Sequence, residues 1–538
     1  MRSALLAGRF RESNRMAGGQ VIRAVLAVVL AVALAACGAK GRGNSEADGP
    51  VQKGGTLTIG SSAEPLSLDP GKSETAPPAE RPLLLAFQRL VEASPTSNEI
   101  VPGLATSWEF NGAKTQLTFH LGDFKFANGD SVTADDVKFS LERLTDLKVN
   151  PDFGYTYQRQ IKKVNAPDPT TVVLELQAGP QPDLLDWLTF TGASIYSEKV
   201  FKQLGEKKFG DAPTDAGSGP FNIERFDRGQ RMVFKQNPNW TGQKPNVDEV
   251  VIRMIPNDNA RMLAVRSGEI DVAESVPYPQ IKSVEGVPGV KIEETKIASV
   301  FAPWIASDGP TAPKEVRQAL LYAIPFETIK KVAFAGKGTI PNSTVPPLRY
   351  WDSAVPAVKT DLAKAKELMA ASPTPNGFTL EMLTLTGDTV SNQTAQILQQ
   401  AWKEIGVTLE IRSLDQAALY QANIDGNWQT ILFGPGSMAS HVPTEAEFYD
   451  NWANPAIAKY FKYDNPELGD LMKQANSTWD EAERKDLYAK VQQSALDNLA
   501  WLPILFDTSV YAVSDSVHKF GVTPLDTWSL MDTWVSSK

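Results

Sequence analysis

Residues able to carry chemistry are scarce in this chain. The three histidines, His120, His441 and His518, fall in a strand-like segment, a loop and a near-terminal segment. They make no H-x-H, H-E-x-x-H or H-x3-H pair, so their spacing supports no metal site. The single cysteine, Cys37, excludes an intramolecular disulfide and a cysteine-rich zinc cluster. No G-x-S-x-G turn presents a nucleophilic serine. Gly434-Pro435-Gly436 and Gly217-Ser218-Gly219-Pro220 lack the downstream Gly-Lys-Ser/Thr of a phosphate loop. Acid pairs such as Asp135-Asp136 and Asp248-Glu249 read as solvated helix and turn acids; a glycosidase needs two carboxylates facing one cleft. No catalytic residue, metal or cofactor is expected. What stands out is the aromatic content, 12 Trp, 12 Tyr and 23 Phe. Several sit beside glycine, proline or asparagine in polar loops: Trp304, Trp428, Phe433 and Trp452. Aromatic faces over a cleft suit capture of an extended ligand or of sugar rings, so the chemistry expected is binding.

These residues need a scaffold of several parts, and 538 residues suffice for two large lobes. Strands are predicted at Thr56–Gly60, Leu117–Leu121, Thr171–Leu176, around Phe221 and Met232–Phe234, and at Val250–Ile255, with a hairpin turn at Asn128-Gly129-Asp130. Thr133 ahead of Asp135, Asp136 and the series Val137, Leu141, Leu144 marks a capped helix, and Asn259–Arg266 a second one stopped at Gly268. The second half is more helical, at Val316–Ala323, Ala363–Met369, Ile397–Ile405 and Leu487–Leu499. Short strands lie between them at Thr379–Leu385, Val407–Ile411 and Thr430–Phe433, an α/β alternation. A net charge of −10 without a basic tract argues against nucleic acid as a partner.

The start of the chain sets the compartment. Residues 1–36 carry five arginines and one glutamate, then a 13-residue apolar run, Ala24–Ala36, too short to span a membrane comfortably. This reads as an export signal. Its end, Leu34-Ala35-Ala36-Cys37-Gly38, resembles the lipobox of bacterial lipoproteins, which implies lipidation of Cys37, cleavage before it and a membrane anchor. Loss of those five arginines and one glutamate takes the net charge from −10 to −14. Residues 37–54 read as a polar, glycine-rich tether.

Ordered motifs over about residues 55–510 resemble the large extracytoplasmic solute-binding proteins of ABC importers, family 5, which includes oligopeptide-, dipeptide- and nickel-binding members. They are Pro102–Glu109 (PGLATSWE), Leu117–Leu144, Gly217–Trp240, Pro245–Val272, Val316–Ile324, and Ala363–Leu368 followed by Ile405-Gly406-Val407. The resemblance implies an α/β, periplasmic-binding-protein-like fold, with two lobes around a cleft and an extra domain in the first lobe (type II, cluster C-like). Domain I would comprise 55–95, 214–305 and the return 506–538, domain II 96–213, and domain III 306–505. It further implies a monomer, closing on a small molecule or short peptide and handing it to a permease and ATPase complex. A sensor lipoprotein without an importer and a surface hydrolase are the competing classes.

For the ligand site the resemblance points to Leu66 and Ser67 in an early cleft-edge loop, to Trp304, and to the segment 428–448 with Trp428, Phe433, Gly436, Met438, Ser440, His441 and Glu445. Leu68, Asp69 and Arg317 are read as structural, Arg317 through a salt bridge. Peptide-binding relatives carry an aspartate after the strand ending at Phe433, for the peptide's free amine. Here Phe433–Thr444 holds no acid; Asp425 and Glu445 flank it. Either Glu445 has taken that task, or the ligand has no free amine there, as for a sugar, an opine-like metabolite or a metal chelate.

Overall fold

A computed structural model of the chain describes residues 50–536, apart from 73–76, 152, 178–181, 446, 449–461 and 464. The export signal, Cys37, most of the tether and Trp452 lie outside the described residues. Among those described, no helix is long and apolar enough to cross a membrane.

Thr56–Ser61 turns Leu57 and Ile59 into the core and pairs in parallel with Glu249–Met254 and with Val272–Ala273. Around it a seven-stranded sheet runs in the order Val290–Phe301, Leu505–Ser514, Val272–Ala273, Thr56–Ser61, Glu249–Met254, Arg231–Gln236, Phe221–Asp227. Leu505–Ser514 is buried along nearly its whole length. Covered on both faces, it shows no polar–apolar alternation, and so it escapes a search for period two.

A second, antiparallel sheet joins Ala105–Phe110, Gln116–Leu121, Thr171–Leu176 and Ile161–Asp168. The predicted helix at Ala134–Thr145 packs Val137, Leu141 and Leu144 onto Leu117, Phe119, Val172 and Leu174. Its start is a capping box: Asp136 accepts from the Thr133 amide at 3.0 Å and Thr133 accepts from the helix backbone. The turn at Asn128-Gly129-Asp130 is present, with Gly129 at φ +89°, but it closes the single bridge Lys125–Ser131 rather than a two-stranded hairpin.

The second lobe is built on a four-stranded sheet, Trp304–Ile305, Thr430–Leu432, Phe378–Leu385, Val407–Leu414. Helix Thr389–Lys403 carries the chain from Phe378–Leu385 to its parallel neighbour Val407–Leu414. Trp402 anchors that helix, its indole N–H donating to the Leu320 carbonyl at 3.0 Å in the buried core. Arg317 is structural, yet its guanidinium bonds the carbonyls of Asn498, Thr311 and Ala312 rather than an acid.

The chain crosses between the lobes along two segments that run side by side. Ile504 donates to Phe301, Leu502 to Pro303 and Ile305 to Ala500, each at 3.0 Å, and Trp304 bridges Trp501. The result is a two-lobed α/β fold with a small antiparallel sheet enlarging the first lobe.

Candidate ligand-binding cleft

Where the lobes face each other lies a partly open cavity of about 370 Å³. The first lobe contributes Arg81, Tyr278, Asp507 and Asp526; the second contributes Asp388 and Gly436. A smaller cavity of about 60 Å³ lies nearby, bounded by Glu80, Arg89 and Thr191 of the first lobe and by His441 of the second.

Buried charge concentrates around the larger cavity. The Arg81 guanidinium bridges Glu274 at 2.6 Å and Asp526 at 2.5 Å, and lies 5.7 Å from the centres of the Tyr511 and Trp528 rings. Ser61 and the Ser62 amide complete the shell of Glu274. Asp388 caps helix Thr389–Lys403, accepting from the Val390 and Ser391 amides, so the helix N-terminus offsets its charge. Asp507 differs. Its Oδ2 accepts from the Ser299 hydroxyl at 2.6 Å and the Gly436 amide at 3.0 Å, whereas Oδ1 has no hydrogen-bond partner among the described residues. Burial pushes its carboxyl up to about 6; the Ser299 and Gly436 bonds oppose that, and the charge on Asp526 adds to it.

At the smaller cavity burial pushes Glu80 up to about 6, opposed chiefly by His441. Glu447 is also buried, but the charge on His441 and its 2.7 Å ring contact, with bonds from the His441 amide and Ser440, outweigh desolvation and hold the carboxyl low. His441 packs edge-on against Phe153 and Phe190 of the first lobe, and Val442 enters that lobe's apolar core.

The residues singled out from the sequence separate into groups. Gly436 lines the larger cavity and His441 the smaller one. Trp304, Trp428 and Phe433 form one aromatic cluster, with Trp304 ring centres 6.4 and 5.0 Å from the other two. The Trp304 indole donates to the Met438 sulfur at 2.9 Å. Ser440 is buried and donates to the Val442 carbonyl. Glu445 is buried, accepts from the Tyr350 amide at 3.1 and 3.0 Å, and is pushed up to about 7 by burial. Leu66 and Ser67 stand apart: Leu66 is 79% exposed, its carbonyl accepting from Arg228, and Ser67 caps the Asp69 amide beside Gly210. Asp69 is structural, paired with Arg143 at 2.7 Å.

Asp507, Asp526, Tyr278, Asp388 and Arg81 were not singled out. The one signal for Asp507 was an acid inside the apolar run Ile504-Leu505-Phe506-Asp507. The others become neighbours only when segments hundreds of residues apart converge. Among the described residues no group of three or more His, Cys, Asp or Glu could hold a metal ion.

A two-lobed α/β fold with a cavity between its lobes, lined by apolar side chains and a few buried charges, defines a solute-binding protein of the periplasmic-binding class. Residues 99–460 match the model of the bacterial extracellular solute-binding proteins, family 5, and the chain belongs to that family. It is similar to the protein named "Probable D,D-dipeptide-binding periplasmic protein DdpA" of Escherichia coli K12, with 26% identity covering 87% of this chain and 92% of that one. It is also similar to the glutathione-binding protein GsiB of the same strain, 27% identical over 76% of this chain and 80% of that one. Among solved structures, AgaA of A. tumefaciens R10, in complex with agropinic acid, superposes with a TM-score of 0.75 at 25% identity, covering 90% of this chain and 99% of that one. The chain is thus an extracytoplasmic binding component of the ABC-importer type, and not an enzyme.

Proposed function

We propose that this protein is the lipid-anchored component of an ABC importer that captures a compact, non-peptide metabolite, of the opine-like class, and delivers it to a membrane permease and its ATPase. The observation that carries this reading is the size and lining of the inter-lobe cavity. About 370 Å³ falls near the low end of the roughly 300–1,000 Å³ of small-molecule sites, and the lining sets Arg81, Asp388, Asp507 and Asp526 among apolar side chains such as Val276, Ile297 and Val510. Two further points support it. The 433–444 segment holds no acid of its own, where the peptide-binding relatives it resembles carry one for the peptide amine. Glu445, the nearest acid beyond it, has both oxygens on the Tyr350 amide. In this reading Gly436 and His441 face ligand, while Trp304, Trp428, Phe433, Met438 and Ser440 hold the loop that presents them. Domains I, II and III follow the boundaries 55–95 with 214–305 and 506–538, 96–213, and 306–505. Cys37 carries the lipid and residues 37–54 are the tether.

A second reading keeps the importer role with a dipeptide-sized peptide as ligand; the names of two relatives, D,D-dipeptide-binding and glutathione-binding, favour it. Native mass spectrometry of the full chain in detergent, followed by denaturing release, separates the readings. A single compact non-peptide compound is expected. A ladder of oligopeptides overturns the compact reading, and a dipeptide or tripeptide moves the assignment to the second. Cys37→Ala is expected to leave the membrane fraction and lose two acyl chains from the measured mass.

A further inference from the structure

We propose that Asp507 is the anchor for a positively charged nitrogen of the captured solute, and that this nitrogen is an ammonium rather than a guanidinium. The inference rests on the compact-solute reading of the same cavity and adds the charge of the ligand.

The argument begins with the balance of charge around the cavity. Arg81 is the cation lining it, and its guanidinium is held by Glu274 and Asp526. The Asp388 charge is met by the amides at the start of helix Thr389–Lys403. Asp507 is 2% exposed, lines the cavity, and makes no ion pair among the described residues. A buried carboxylate without a cationic partner is costly, and a cationic ligand lowers that cost.

Geometry then selects the kind of cation. Oδ2 already accepts two bonds, from Ser299 and Gly436, which leaves Oδ1, buried and unpartnered among the described residues, as the remaining acceptor. A guanidinium recognises a carboxylate best through two parallel bonds to two available oxygens. An ammonium needs a single strong acceptor and directs its other protons elsewhere. The Tyr278 hydroxyl, also at the cavity, donates to the Thr508 carbonyl at 2.7 Å and accepts from the Thr508 amide at 3.4 Å, so it borders the site with its own bonds to the backbone already made. The two bonds on Oδ2 also fix the carboxylate from both lobes. Ser299 lies on strand Val290–Phe301 of the first lobe, and Gly436 on the second-lobe loop after Thr430–Leu432. Gly436 has φ +79°, a conformation that glycine adopts without strain, and in it the amide reaches Asp507. The carboxylate that receives the ammonium is therefore also bound by the closing lobe, which ties capture to closure.

The test compares wild type with Asp507→Asn, both as full chain in detergent, purified in parallel. The amide keeps an acceptor for the Ser299 hydroxyl and the Gly436 amide, and places a neutral N–H donor where Oδ1 stood, removing both the charge and that acceptor. Released ligand is treated with an amine-acylating reagent and weighed. If wild type is isolated empty, thermal shift is read with lysine, ornithine, putrescine and glycyl-glycine against their N-acetylated forms. The expected result is an acylatable ligand in wild type, or a melting shift from at least one free amine and not from its acetylated form. Asp507→Asn should lose that ligand or bind roughly 100-fold more weakly, while its ligand-free melting temperature equals or exceeds that of wild type. Ser299→Ala, which keeps the charge and loosens its orientation, should retain the preference for the free amine. A ligand without a basic nitrogen, equal binding by Asp507→Asn, or no response to any amine overturns the assignment. A compact ligand without nitrogen sinks this inference alone; an oligopeptide ladder lost from Asp507→Asn sinks the compact reading alone.

Discussion

Arg349 of the second lobe reaches across the cleft and pairs with the buried carboxylate of Asp186 in the first lobe at 2.6 Å. The same guanidinium donates to the Asn98 carbonyl at 3.1 Å, so one side chain holds two first-lobe segments. Burial raises the Asp186 carboxyl, and the charges of Arg349 and Arg484 oppose that shift. The pair exists only when the lobes are together, so it stabilises the closed form and not the open one.

Arg349→Ala should therefore weaken ligand binding by roughly ten-fold, through faster release rather than slower capture. Stopped-flow release of the retained ligand checks this. An unchanged release rate would show that the pair forms without bearing on closure.

Arg81→Met leaves Glu274 and Asp526 buried without their cation. Breaking a buried pair by removing one partner costs about 3–5 kcal/mol, and here two acids lose the same partner. Urea unfolding of the full chain should show a loss of at least that size. The triple change Arg81→Met, Glu274→Gln, Asp526→Asn should recover part of it, because no uncompensated charge then remains.

Acid should stabilise the ligand-free protein between neutrality and about pH 5. Asp507, Glu80 and Glu445 lie above their ordinary values in the fold, at about 6, 6 and 7. A carboxyl raised in the native state binds more protons folded than unfolded, so its destabilisation appears as pH rises from the unfolded value through the folded one. Glu447, held low by His441 once desolvation is overcome, acts oppositely and only at lower pH. The groups facing Asp507 at the cavity are Asp526, Arg81, Tyr278 and Asp388. Calorimetry should give a higher melting temperature at pH 5 than at pH 7 without ligand. Binding of an ammonium compound should instead weaken below about pH 6, as Asp507 takes up a proton, and Asp507→Asn should abolish that pH dependence.

Gly377→Ala should destabilise the second lobe by a few kcal/mol. Gly377 has φ +83°, and a Cβ there would stand 1.9 Å from the Gly406 carbonyl oxygen. Both glycines lead directly into the parallel pair Phe378–Leu385 and Val407–Leu414, so the backbones must touch where that pair begins. Thermal unfolding reads the loss. Gly387→Ala, at φ +85° with open space around it, should cost less.

Local pattern carried much of the scaffold. Alternation disclosed Thr56–Ser61, Gln116–Leu121 and Thr171–Leu176, because each has one face in a core. Thr133 and the acids after it disclosed helix Ala134–Thr145, because a cap is a local hydrogen-bond arrangement. The family, its two lobes and its extracytoplasmic place were legible in ordered motifs from Pro102 to Val407. Tertiary structure decided the site. The strand Leu505–Ser514 carries no alternation because both its faces are covered, and its Asp507 meets Gly436 only when the chain returns to the first sheet. Whether an acid is solvated, paired or left alone in a cavity depends on which distant segments reach it. Glu445, Asp526 and Asp507 are all nearly buried acids, yet one holds a backbone amide, one an arginine, and one keeps an oxygen unpartnered among the described residues.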